Sequence, residues 1–212
     1  MINAILVCDN NDSNLGDFFE KCKVETERLL TSSDFEFNNI EISGNAAFEI
    51  AVPMNANSIN SNPFLFVSYT HGSENELLKN GNNPFLSIDN NLDSLKNSLA
   101  YCYACKAGKI LGEELCLKGT LCFIGYKENV SVQKFFGAEN AFIDCAVYLI
   151  KALIEGNTTG QTLDLMKEKY TEYIDDFYLR DMLTATLFMD NRDSLILHGD
   201  SELSIDNLNQ PA

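Results

Sequence analysis

Phe64-Leu-Phe-Val-Ser-Tyr-Thr70 followed by His71-Gly72, and later Ser98-Leu-Ala-Tyr-Cys-Tyr-Ala104 followed by Cys105-Lys-Ala-Gly108, are the two stretches that decide the fold. Each is a short run rich in aromatic and aliphatic residues, the composition of a strand, and each ends on a reactive side chain. In an open parallel sheet the carboxyl ends of the strands form the crevice in which ligands bind. The pattern therefore brings His71 and Cys105 to one crevice.

That pairing suits nucleophilic catalysis. The thiolate is the reactive form of cysteine, and an imidazole assists the thiol and protonates a leaving amine. Gly72 lets the backbone approach a substrate closely because it has no Cβ, and its N–H together with that of Cys105 is expected to hold an oxyanion. Cys102-Tyr-Ala-Cys105 also fits a C-x-x-C redox or zinc pattern. A redox pair wants its first cysteine at a helix N-terminus, whereas Cys102 falls inside a strand, and Cys116 and Cys122 are poorly spaced as a second zinc pair. Cys102 is expected in the core. His198 is the other histidine of the chain and the alternative partner for Cys105.

A strand ending in His-Gly, then a strand ending in Ala-Cys with a glycine-containing turn, resembles the caspase, metacaspase, gingipain and CHAT superfamily of cysteine peptidases. Gly119-Thr-Leu-Cys-Phe-Ile-Gly-Tyr126, Ala152-Leu-Ile-Glu-Gly-Asn-Thr-Thr-Gly160 and Leu195-Ile-Leu-His-Gly-Asp200 agree with its gingipain and CHAT branches, in the expected order. The resemblance implies a caspase-like three-layer α/β sandwich with a central, mostly parallel sheet of about six strands. It also implies a cysteine endopeptidase with Cys105 as nucleophile and His71 as acid/base, acting on a protein substrate without a cofactor. CHAT-like peptidases resemble regulated effectors of prokaryotic defence or programmed death, so a separate activator or inhibitor protein is expected. A catalytically silent caspase-like binding module is the alternative. Two departures bear on specificity. Tyr103 stands where caspases carry Gln and many metacaspases Asp to shape the substrate pocket, and the turn after the cysteine is Ala107-Gly108 where Ser-Gly is frequent.

The 212 residues suit one α/β domain, expected over residues 1–200 with a loose tail at 201–212, and can bury a substantial core. No apolar run reaches the length of a membrane span, and the N-terminus lacks a basic region, so a cytoplasmic protein is expected. Seven cysteines, an odd number set mostly among apolar neighbours, argue against a disulfide framework. A formal charge of −16 argues against nucleic acid and anionic lipid as partners and favours a basic peptide. Asp9, Asp12 and Glu128, on the turns after the first and fifth expected strands, are accordingly expected to line the crevice rim; Tyr103 at the pocket floor argues the other way, for a large uncharged substrate residue. Asp9 and Asp12, with Lys127, have part of the phospho-receiver pattern. The acceptor carboxylate that such a domain needs after its third strand is replaced by Thr70-His71, so turn chemistry and helix capping are the simpler roles. The carboxyl ends of the two key strands carry no Asp, and no metal site is expected there.

Along the chain, Ile2–Cys8 reads as a strand buried on both faces, followed by a helix from about Leu15 to Leu30. Thr31–Gly44 reads as irregular, Ala46–Val52 as a strand, and 53–62 as a loop. Asn80-Gly81 marks a hairpin between Leu77 and Ile88. A short helix within Asp89–Asn97, a helix over Lys109–Leu117 and a strand over Thr120–Tyr126 follow. Three amphipathic helices then precede a short strand at Ser194–Leu197.

Overall fold

The first strand, β1 (Ile2–Cys8), alternates its side chains between two packed faces. Ile2, Ala4, Leu6 and Cys8 enter one hydrophobic layer, while Ile5 and Val7 enter the other. That period of two on a strand with no polar face is what a sheet covered on both sides requires. In the computed structural model, which describes residues 1–135 and 137–209, this strand lies second in a six-stranded sheet.

The neighbours of β1 are β2 (Phe37–Ser43) at the edge and β3 (Phe64–Tyr69) inward; β7 (Ser98–Tyr103), β8 (Cys122–Tyr126) and β9 (Leu195–Gly199) follow in that order. All pairings are parallel except the last, β8 with β9. A second, antiparallel sheet of three short strands, β4 (His71–Gly72), β5 (Glu76–Lys79) and β6 (Asn83–Ser87), grows directly from the end of β3. Its β5–β6 turn carries Asn80 and Gly81 at φ +52° and +71°, the left-handed pair that a tight hairpin demands.

Helices α1 (Gly16–Ser32), α4 (Glu139–Ile154), α5 (Thr159–Tyr178) and α6 (Met182–Ser194) cover one face of the large sheet. Helices α2 (Phe48–Ile59) and α3 (Leu111–Leu117), with a 3-10 turn at Leu92–Leu95, cover the other. This is the expected three-layer α/β sandwich with six strands. Most of the tyrosine hydroxyls in the layer under α4–α6 find partners: Tyr101 donates to the Ala146 carbonyl at 2.8 Å, and Tyr126 meets Tyr170 at 2.9 Å, while among the described residues Tyr103 is the exception. Such pairing is the condition for burying a phenol.

Three expectations are corrected. Phe37–Ser43, read as irregular, is β2, and it reads as polar because an edge strand exposes Asn38, Asn39 and Glu41. Ala46–Val52, read as a strand, belongs largely to α2, whose buried face is Phe48, Val52 and Ala56 at four-residue spacing. Pro53 stands inside that helix, and the burial of these three side chains offsets the backbone hydrogen bond that a proline cannot make. The stretch after Asp200 is packed as far as it is described: Leu203, Ile205 and Leu208 are buried around α7 (Ile205–Leu208), and the N-terminal ammonium donates to Asn209. Residues 210–212 of the expected tail lie outside the described residues. Among those residues no helix is long and apolar enough to cross a membrane.

Candidate active site

The register of β3 against β7 sets the site. Tyr69 pairs with Tyr103, so His71 and Cys105 each stand two residues beyond the same rung. The rung extends to β1, where Cys8 pairs with Tyr69, and the backbone bonds Asp9 N–H to Tyr69 O and Thr70 N–H to Tyr103 O close the row at 3.1 and 3.4 Å. Three loops therefore leave the sheet side by side, carrying Asp9 and Asp12, His71 and Gly72, and Cys105.

The two key loops touch. A Cβ on Gly72 would stand 2.9 Å from both the Ala104 Cβ and the Cys105 carbonyl oxygen, so only glycine permits this approach. Beyond it, the Leu111 N–H donates to Glu74 O at 2.8 Å, and Lys109 Nζ donates to the Glu74 carboxylate at 2.6 Å.

Cys105 is partly exposed and its thiol is free. The Val130 N–H donates to its Sγ at 3.3 Å, and Sγ lies 3.8 Å from the Val130 carbonyl. An amide donor of this kind sets a partial positive charge beside the sulfur. The turn that follows is held by Lys106 N–H to Glu128 O at 3.0 Å and Gly108 N–H to Tyr126 O at 2.9 Å. Lys106 adopts φ +57°, a conformation that costs a residue with a Cβ about 1–2 kcal/mol.

His71 sits on β4 and is aligned by β5 through its pairing with Leu78. Its ring packs edge-on against Phe19 of α1, with centroids 5.7 Å apart. Its Nε2 lies 3.1 Å from Asp12 Oδ2, an ion-pair distance without the alignment of a hydrogen bond. Burial works to raise the Asp12 carboxyl pKa, but the Leu15 and Asn14 N–H groups and the His71 charge outweigh it and hold it below the ordinary carboxylate value. Those two N–H groups donate to Asp12 Oδ1 at 2.7 and 2.9 Å, so Asp12 also organises the turn into α1. Asp9 is fully buried, and its Oδ2 accepts the Asn80 N–H at 2.6 Å.

The expected site residues fall into three environments. His71 and Cys105 leave neighbouring strand ends, Gly72 lies against the Cys105 carbonyl, and Asp12 faces His71 with only 9 % of its side chain exposed. Glu128 is exposed at the rim, and its backbone braces the nucleophile turn. Tyr103 is closed from solvent at 2 % exposure: its ring packs among Phe18, Tyr69 and Tyr126, and among the described residues its hydroxyl has no partner. The strand's alternation turns Tyr103 into the helix-covered layer, which is not a position for touching substrate. Cys102 is fully buried on the opposite face, where desolvation pushes its thiol far above the ordinary value. His198 lies on β9 with Nε2 2.7 Å from the Gly108 carbonyl, which requires that nitrogen to be the donor. It supports the turn after Cys105 from behind. Sequence reasoning missed Val130, Phe19 and the contact of Asn80 with Asp9; the Asn80-Gly81 signal was present, but its long-range partner was not readable.

No family model matches this chain, and no curated protein is similar to it in sequence. Solved structures are. The crystal structure of the Arg-specific cysteine proteinase gingipain R (RgpB) superposes with a TM-score of 0.61 at 17 % identity over 95 % of this chain. The complex of Porphyromonas gingivalis RgpB pro- and mature domains gives 0.60 at 17 % identity, also over 95 %. This chain spans about half the length of those it matches, 47 % and 48 %. The chain thus has the caspase-like α/β fold of the gingipain cysteine proteinase, with a six-stranded, mostly parallel sheet at its centre.

Proposed function

We propose that the chain is a cysteine endopeptidase in which Cys105 is the nucleophile and His71 the acid/base. The observation that carries this reading is the shared rung of β3 and β7, which sets His71-Gly72 and Cys105 at adjacent strand ends with the Gly72 backbone against the Cys105 carbonyl. The gingipain-like fold supports it.

In this reading His71 takes the thiol proton through the ring nitrogen turned away from Asp12. The sulfur attacks the substrate carbonyl carbon, and the oxyanion lies on the Gly72 and Cys105 N–H groups. Collapse of the tetrahedral species breaks the C–N bond as His71 gives its proton to the leaving amine. Water, deprotonated by His71, then hydrolyses the thioester. Asp12 acts on His71, stabilising the imidazolium and fixing the ring. A regulated effector role in prokaryotic defence or cell death, with a protein substrate and a separate activating or inhibiting protein, follows from the resemblance to CHAT-like peptidases. The exposed Glu128 remains available to a basic substrate residue at the rim.

The test is covalent labelling with a peptidyl acyloxymethyl ketone, read by intact mass and peptide mapping. One adduct on Cys105, lost in Cys105→Ala and slowed in His71→Gln, is expected. A chain that stays unlabelled, with and without its activating partner, is a silent binding module instead.

A further inference from the structure

Three ligand-type groups crowd together beside the dyad. A carboxylate oxygen of Asp9, one of Asp12 and a ring nitrogen of His71 all lie within 4.8 Å of one another. Two ligands of a tetrahedral zinc-type ion, each about 2.1 Å from it, stand about 3.4 Å apart, and Asp12 Oδ2 is within a few tenths of an ångström of that, 3.1 Å from His71 Nε2. The spacing is that of neighbouring ligands in one coordination sphere.

Crowded acidic groups alone do not make a site; the second observation is the unspent valence of Asp9. This residue is 0 % exposed, its Oδ2 is taken by the Asn80 N–H, and among the described residues its buried Oδ1 has no hydrogen-bond partner. His71 Nε2 is likewise buried, with Asp12 Oδ2 beside it at 3.1 Å but out of hydrogen-bond alignment. A buried carboxylate oxygen left so is costly in its ionised form unless something positive meets it. The neighbouring Lys79 makes no bond to it, giving its ammonium to the Ala46 carbonyl at 2.7 Å and lying over the Phe48 ring. His71 keeps a quarter of its side chain open to solvent, which leaves a way in.

We propose that Asp9, Asp12 and His71 form a binding site for a divalent transition-metal cation of the zinc type, with Cys105 outside the coordination set. One imidazole nitrogen and two carboxylates suit such ions better than magnesium or calcium, which take oxygen ligands. An occupied site holds His71 as a neutral ligand; that coupling to the dyad rests on the function proposed above, whereas the binding does not.

Isothermal titration of the chelator-treated, re-equilibrated chain with zinc chloride tests it. One site is expected, weakened at least tenfold by Asp9→Asn and by Asp12→Asn and unchanged in Cys105→Ala. Asp9→Asn keeps an oxygen for the Asn80 N–H, and thermal melts of the metal-free variants check folding. Should Asp9→Asn fail to fold, the same loss in Asp12→Asn and His71→Gln carries the test. Cobalt in place of zinc should give visible bands without an intense thiolate charge-transfer band. No binding at about 0.1 mM zinc, unchanged affinity in Asp9→Asn, or loss of binding in Cys105→Ala each overturns the proposal. Because heat is read rather than turnover, a chain that proves not to be a peptidase leaves this test intact.

Discussion

The turn after β7 and the turn after β1 leave the sheet beside each other yet are built in opposite ways. The first is braced: Lys106, Gly108 and the Cys105 sulfur are all held by backbone groups of the segment 126–130, and His198 holds the Gly108 carbonyl from β9. The second is acidic and incompletely satisfied, with an Asp9 oxygen that has no partner among the described residues and Asp12 facing His71 off-line. A nucleophile has to be placed, and fixed amides place it; a proton carrier needs nearby charge whose balance can change. By this contrast, substitutions at the nucleophile of the first region act all-or-none through one atom, and substitutions in the second act by degrees.

The largest effect belongs to Cys105→Ala, which is expected to abolish labelling and cleavage while the melting temperature stays close to that of the unaltered chain, since a partly exposed sulfur contributes little burial. Cys102→Ala is the control from the same strand. Removing its fully buried sulfur costs about 1 kcal/mol of stability and leaves cleavage in place. Activity surviving in Cys105→Ala but lost in Cys102→Ala would reverse the assignment.

Next comes His71→Gln, expected to lower kcat about 10²–10⁴-fold with a smaller change in KM, because the imidazole works in the transition state. His198→Gln loses one part-buried hydrogen bond, about 1 kcal/mol, and should reduce turnover far less. Equal losses at the two positions would mean that β9 shapes the reacting centre and not merely the turn behind it.

Gly72→Ala probes the contact between the two key loops. Its new Cβ would press on backbone, the Cys105 carbonyl oxygen at 2.9 Å, and not on a side chain able to swing away. Overpacking of this kind costs about 1–3 kcal/mol, and urea unfolding should show it together with a fall in kcat. A variant as stable and as active as the parent would mean that the two loops are looser than the structure has them.

How much of this was legible beforehand follows the same contrast. β3, β7 and their terminal His71 and Cys105 were readable because a strand buried on both faces leaves an uninterrupted apolar run that ends abruptly at the crevice. β2 was not, since an edge strand's exposed positions take Asn38, Asn39 and Glu41 and erase the pattern. Tyr103 was placed by analogy with a pocket residue, whereas strand alternation already turned it toward the same layer as Leu99 and Tyr101. The Asp12–His71 contact joins loops from two strands that are neighbours only through the order β1-β3, which sequence spacing does not encode.

Asp12→Asn acts by degrees. It should lower kcat less than His71→Gln, and its effect on stability should depend on pH. The Asp12 carboxyl is held below the ordinary value in the folded chain, so its charged form adds stability above the unfolded carboxylate pKa, and that contribution fades as pH falls through the folded value. The gap in melting temperature between parent and Asp12→Asn should therefore be fully open near neutrality and close toward strong acid. A gap that widens on acidification contradicts the sign.

The smallest effect is expected at Glu128, the one expected specificity carboxylate left on the surface. Asp12 faces His71, and Tyr103 is sealed in the core, so neither stands free to meet a substrate side chain. Glu128 shares its surroundings with Lys109 and gives its carbonyl to Lys106 N–H, which places cations near any basic residue it might attract. An exposed ion pair is worth about 0.2–1 kcal/mol, no more than about fivefold in kcat/KM. A matched set of peptides differing only in Arg, Lys, norleucine or Asp before the cut measures this. Glu128→Gln should reduce the basic peptides' advantage by that modest factor at low salt and by less at high salt, where the field of the −16 chain is also screened. A far larger loss would assign Glu128 to a desolvated pocket that closes only around substrate. An unchanged ratio with Arg still preferred would leave the overall charge to account for it, and a preference for Asp would turn attention to Lys106 and Lys109.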